Sequence, residues 1–147
     1  RLEIKLDYLT THIDGVYSTE QGFSVVLEAD ETEEILPVFI SKTQALSIKA
    51  GASGAPINRP LTHDLMIKIL GDMDLEMESV TIDDLMNGTF LAELRLVRGD
   101  RIFPYDVRPS DGIALAVREE AKILVSEEVM EKAGMKKEEL ADSGFEI

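Results

Sequence analysis

The sequence predicts an α+β fold, with helices packed on a mostly antiparallel sheet. Strand-type runs follow one another across short charged turns, which favours antiparallel pairing. Helical spacing appears only after blocks of strands. The third observation is a repeated pattern, shared by Gly22–Ile48 and Gly88–Leu115. Pro37 falls on Pro104 and Ile48 on Leu115, both at an offset of 67. Gly22 and Gly88 are offset by 66, so one residue was gained in a hairpin. The expectation is one duplicated domain over residues 1–134, with β-β-β-α units at about 16–50 and 80–118, and a weakly ordered tail at 135–147. Neither unit alone carries enough core to be stable. Where one unit has charge and the other does not, the scaffold does not demand the charge. Phe39 corresponds to Asp106, Ser41 to Arg108 and Gln44 to Asp111, which directs attention to the second unit.

The elements follow in order. Residues 2–13 alternate and predict a strand. Phe23, Val25 and Leu27 predict a second, and the unbroken apolar run Ile35–Ile40 a third, covered on both faces. Helical spacing over Thr43–Ala50 stops at the Gly- and Pro-containing connector 51–60. A helix over Leu61–Leu70 has Thr62 as expected N-cap, Asp64 in its first turn and Gly71 as stop. A strand over Leu75–Asp83 precedes the Asn87–Gly88 turn. Alternation from Phe90 to Leu96, the turn Arg98–Gly99–Asp100 and the run Arg101–Val107 give two more strands. Pro109 opens a helix to Arg118, whose expected buried stripe is Ile113, Ala116 and Val117. A short strand, Ile123–Val125, and a Ser126-capped helix, Glu127–Ala133, complete the domain.

Composition narrows the function. The 147 residues contain no Cys, so disulfides, thiolate ligands and a Cys nucleophile are excluded. No apolar run approaches the roughly 20 residues that span a bilayer. Nothing in Arg1–Thr11 reads as a signal peptide, so the expected compartment is the cytoplasm. The net charge of −14 opposes nucleic acid as a partner. Its distribution is uneven. Residues 95–118 hold five Arg (Arg95, Arg98, Arg101, Arg108, Arg118) against three Asp. Such arginines suit bidentate contact with oxyanions, or they pair with the surrounding carboxylates. Five Phe, three Tyr and no Trp offer no strong aromatic platform for stacked bases.

Two stretches can carry chemistry. Arg59–Pro60–Leu61–Thr62–His63–Asp64–Leu65 enters a helix, and a helix N-terminus disfavours a protonated His63, leaving an imidazole fit for a base or a ligand. The same residues read equally as plain capping. Asp106–Val107–Arg108–Pro109–Ser110–Asp111 is the second, with Arg108 close enough in sequence to pair with Asp111 and Arg118 two turns further on. Its alternative is a helix start with an ion-pair network. There is no GxGxxG, no P-loop, no HExxH and no GxSxG. His12 precedes a turn and reads as structural or exposed.

The stretches Arg59–Leu65, Gly88–Phe90 and Asp106–Arg118, with Leu36–Ile40, resemble the signature blocks of the bifunctional nuclease domain family, over roughly Asp14 to Gly134. The chain departs from the family pattern in having Gln44–Ala45 where a Glu-Ala pair is usual. The resemblance implies a nuclease acting on DNA and RNA. In a metal-assisted mechanism, Asp106 and Asp111, with Asp64, would hold a divalent metal, Mg²⁺ being the natural choice for oxygen ligands. His63 would position or deprotonate water, with Asp64, Asp106 and Asp111 as the acidic catalytic groups. Arg59, Arg108, Ser110 and Arg118 would bind the substrate. The competing reading is a non-catalytic interaction module, in the form of a homodimer, in which the same polar residues hold the fold together. A small-ligand sensor is a third.

Overall fold

The computed structural model describes residues 7–140 and 144–147. β1 (Tyr8–Thr19), β2 (Gly22–Ala29) and β3 (Glu34–Ile40) form an antiparallel meander that leads into α1 (Lys42–Ser53). After α2 (Thr62–Asp72), β4 (Glu76–Met86), β5 (Thr89–Arg98) and β6 (Arg101–Val107) form a second meander leading into α3 (Pro109–Glu119). Next come β7 (Lys122–Ser126), α4 (Glu127–Ala133), β8 (Met135–Lys136) and β9 (Phe145–Glu146). The sheet order is β6-β5-β4-β7-β1-β2-β3-β8, with β9 beside β1. β7 is the seam: it runs parallel to β4 and antiparallel to β1, so five residues join the two meanders. Its pairing with β4 is the only parallel one among the described residues.

The core draws on both meanders and three helices, with Val25, Leu27, Leu36, Ile48, Val80, Ile82, Ile113, Leu115 and Val125 fully buried. α3 is the central helix. Its buried set is wider than the expected stripe, covering Ser110 and Gly112–Ala116, while Val117 is only partly covered. It packs on α1, α2 and the second meander together, and Gly112 makes that possible. A Cβ there would collide with the Val80 side chain of β4.

Several boundaries differ from expectation. The first strand extends to Thr19, and residues 2–6 of its expected range lie outside the described residues. α1 runs through Gly51 and stops at Gly54, which takes a left-handed φ of 64°. Gly51 is therefore not a breaker. A Cβ on it would lie 2.6 Å from Arg118 Nη1, so it is small because α3 passes close by. In α2 the N-cap is Leu61, not Thr62. Asp64 Oδ2 accepts the Leu61 amide at 2.8 Å, so the third helical residue supplies the cap. Gly71 lies inside the helix, which ends at Asp72. The Asn87–Gly88 turn has positive φ at both residues (52° and 79°), as a tight hairpin requires. The tail also carries pairings: β8 lies on β3, and β9 lies on Tyr17 and Ser18 of β1. The edges of the sheet offer unpaired backbone groups, and these short segments take some of them.

Candidate functional site

The polar centre lies where α1, α2 and α3 meet. His63 stands in the first turn of α2, and its Nδ1 is 2.6 Å from Ser47 Oγ on α1. Its Nε2 is 2.9 Å from Asp111 Oδ1 in the first turn of α3. The second Asp111 oxygen accepts Arg108 Nε at 2.8 Å. Below this, Arg118 Nε donates to Asp64 Oδ1 at 2.8 Å, Nη1 to the Ala114 carbonyl at 2.8 Å and Nη2 to Ser47 Oγ at 3.3 Å. Ser47 thus links two ion pairs.

The local sequence explains the placement. Pro109 starts α3 with its φ already set, and this fixes Asp111 in the first turn. In α1 the third helical residue is Gln44, which turns back to cap Ser41. Asp111 holds the corresponding position in α3, but reaches out to another helix instead. Burial works against its charge. The hydrogen bonds from Arg108 and His63 outweigh burial and hold the carboxyl below the usual carboxylate range. Asp64 is also held low, chiefly by Arg118, against some desolvation and with help from the Leu61 amide. An ionised Asp111 can only accept, so the proton of a neutral His63 lies on Nε2 and the lone pair on Nδ1 faces the Ser47 hydroxyl.

His63, Asp64, Asp111, Arg108 and Arg118 are brought together as one connected network. Arg118 is 6% exposed, with all three nitrogens bonded inside the fold, whereas Arg108 is 69% exposed. Asp106 and Ser110 stand apart from the network. Both line a neighbouring groove, where Ser110 is buried and Asp106 exposed. Arg59 is exposed on the connector before α2 and makes no hydrogen bond or ion pair among the described residues.

Asp106 makes no hydrogen bond or ion pair with the Asp111 network among the described residues. Both oxygens of Asp111 and of Asp64 are engaged by His63, the two arginines and a backbone amide. Among the described residues no three His, Asp or Glu side chains are grouped to hold a metal ion. As arranged, the donor set does not fit Mg²⁺: an ion at Asp111 or Asp64 would have to displace a guanidinium.

Sequence reasoning missed Ser47. A signal existed: a hydroxyl interrupts the buried face of α1 between Ala45 and Ile48.

Arg95 pairs with Glu93 at 3.2 Å, and Arg98 and Arg101 lie over the Phe103 ring at 5.5 and 4.9 Å. His12 lies on β1 outside this network, held between Asp30 at 2.6 Å and Glu28 at 2.9 Å. No helix among the described residues is long and apolar enough to cross a membrane.

Comparison with known proteins places this geometry in a family. An uncharacterized protein of Mycobacterium tuberculosis is 34% identical over 111 residues, covering 76% of this chain and 66% of that protein. Bifunctional nuclease 2 of Oryza sativa subsp. japonica is 28% identical over 127 residues, covering 84% of this chain and 39% of its own length. Bifunctional nuclease 2 of Arabidopsis thaliana is 27% identical over 125 residues, covering 82% and 37%. The chain therefore spans just under two thirds of the mycobacterial relative and under two fifths of the plant ones. The family model for the bifunctional nuclease domain matches residues 25–138, which include every member of the polar network, and the chain belongs to that family.

Proposed function

We propose that the protein hydrolyses phosphodiester bonds in DNA and RNA. The observation that carries this reading is the continuous chain Ser47–His63–Asp111–Arg108, which runs from a buried hydroxyl to an exposed guanidinium. The names of the plant relatives support it.

In this reading Arg108 binds the phosphate through its two terminal nitrogens, which take no partner among the described residues. It offsets the charge that grows on the phosphate oxygens. Asp111 keeps the His63 lone pair on Nδ1 and stabilises the imidazolium once formed. As water attacks phosphorus, its proton passes to Ser47 Oγ while the Ser47 proton moves to His63 Nδ1. The P–O bond to the leaving group breaks on the opposite side of phosphorus, where the departing oxygen takes a proton from solvent, and His63 then releases its own proton through Ser47. Arg118 and Asp64 hold Ser47 and α2 in register.

The test is cleavage of single-stranded DNA and RNA by purified protein beside His63→Ala and Asp111→Asn. Cleavage by the parent that is lost in both variants is expected. Equal cleavage in all three would trace the activity elsewhere.

A second reading, an interaction module that dimerises, is favoured by one observation. α2 buries no residue fully, and exposes Leu61, Leu65, Ile69 and Met73 at a spacing of four. Light scattering of Ile69→Glu against the parent tests it. A dimer that becomes a monomer supports this reading, and a monomeric parent ends it.

A further inference from the structure

We infer that the groove beside the His63–Asp111 pair binds a nucleobase, and that Asp106 selects guanine. The inference rests on the nuclease reading for its role, while its geometry stands separately. The groove has a volume of about 460 Å³, within the range of small-ligand sites. One wall is the end of β3 and the start of α1, with Phe39 and Gln44. The other is the start of β5 and the β6–α3 junction, with Phe90, Asp106, Arg108 and Ser110.

Phe39 is 62% exposed, although its neighbour Val38 is buried. Phe90 is half-buried across the groove. The composition promised no aromatic platform, yet the fold brings two of the five Phe to one site. Faces of this kind accept any base by stacking. Polarity then orients a nucleotide. On its wall Arg108 presents an unpartnered fork suited to phosphate. Two residues before it on the same strand end, Asp106 has no partner among the described residues and lies opposite Glu93 in the β5–β6 register. The unpaired Asp106 carboxylate repels a phosphate, so the phosphate belongs at Arg108 and the base at Asp106.

Hydrogen-bond inventory picks the base. A carboxylate offers two adjacent acceptors. Guanine presents N1–H and N2–H side by side on its Watson–Crick edge, whereas adenine, cytosine and uracil each present one donor group there. The O6 of guanine, next to N1–H, needs a donor. The Gln44 Oε1 is spent on the Ser41 amide, which leaves the Gln44 amide NH₂ free for it. Asp106 is thereby a base-reading residue rather than a metal ligand.

The experiment is titration of the full chain with GMP, AMP, CMP and UMP, followed by NMR or calorimetry, with Phe39→Ala and Asp106→Asn alongside. GMP should bind most tightly. Phe39→Ala should weaken it about tenfold, the order expected for loss of one stacking face. Asp106→Asn should erase the margin of GMP over AMP, since an amide suits adenine. Circular dichroism checks that both variants fold; both positions are exposed, so neither change threatens the core. Equal binding of all four nucleotides overturns the guanine assignment. Nucleic-acid cleavage with no nucleotide binding in the groove overturns the inference and leaves the nuclease reading standing. GMP binding that weakens in Phe39→Ala and loses its margin over AMP in Asp106→Asn, in a protein that cleaves nothing, supports the inference and removes the nuclease reading.

Discussion

Asp111 on α3 reaches His63 on α2 across 48 positions of sequence, at 2.9 Å, and in doing so fixes which imidazole nitrogen carries the proton. Asp111→Asn preserves shape but removes the charge that stabilises an imidazolium. Activity on single-stranded nucleic acid is expected to fall by about 10²–10⁴, the usual yield of positioned acid–base catalysis. Ser47→Ala should fall by a similar order if the hydroxyl relays the proton. A Ser47→Ala protein with parental kcat would show that water reaches His63 directly.

The two arginines of the network should behave oppositely. Arg118→Ala leaves Asp64 and Ser47 without their partner in the interior. Loss of a buried pair costs about 3–5 kcal/mol, and Asp64 is partly solvated, so about 2–3 kcal/mol is expected here. In a chain of this size that lowers Tm by about 5–10 °C. Arg108→Ala should barely move Tm and should raise KM. Thermal melts and Michaelis curves of the two variants, read together, check the assignment; a large melt shift in Arg108→Ala would contradict it.

Gly112→Ala tests the seat of α3. The added methyl meets Val80, and overpacking of this kind costs about 1–3 kcal/mol. Val80→Ala in the same chain should return part of the loss, because the two side chains compete for one space. Additive losses in urea titrations would place the strain elsewhere.

The pH dependence has a definite sign at His12. The hydrogen bond to Asp30 raises its pKa above the ordinary 6.5, with Glu28 adding to the effect and desolvation opposing it. The folded state therefore binds the proton more tightly. The stabilisation is complete below pH 6.5 and is lost as pH rises through the raised folded value. His12→Gln should lower stability at pH 5.5 and approach the parent at pH 9, by an amount that solvent screening keeps small. A gap that widens with pH would reverse the assignment. Asp111 has the opposite sign: its contribution is present above its ordinary 3.8 and disappears as pH falls through the depressed folded value.

Metal removal offers a further check. With Asp111 and Asp64 engaged by His63 and the arginines, exhaustive dialysis against EDTA should leave cleavage intact. Loss of activity that Mg²⁺ restores would mean that the carboxylates exchange their arginines for an ion.

Much of the frame was legible before any coordinates. Alternation marked β2, β5 and β6, Asn87–Gly88 marked its turn, and Pro109 marked the first residue of α3 to the position. These signals are local, because they depend on φ preference and on residues two to four apart. Legibility failed where distance intervened. Gly51 and Gly71 read as helix stops because an isolated helix pays for glycine. Gly51 is tolerated inside α1 because Arg118 comes within reach from another helix. The acids and bases of the site were recognised by type, but not the division of Asp106 from Asp111 or the link through Ser47.

The sequence by itself determined the class of fold, the order of its elements and the residues that carry charge, since pattern and propensity act along the chain. Only the tertiary structure decided who meets whom. β7 entered between β4 and β1 and set the two meanders side by side. The junction of three helices then gave Asp64 to Arg118, gave Asp111 to His63 and left Asp106 in a groove with Phe39. Such choices are made by close packing and by the cost of burying an unpaired charge, and neither force acts until the distant parts of the chain are in contact.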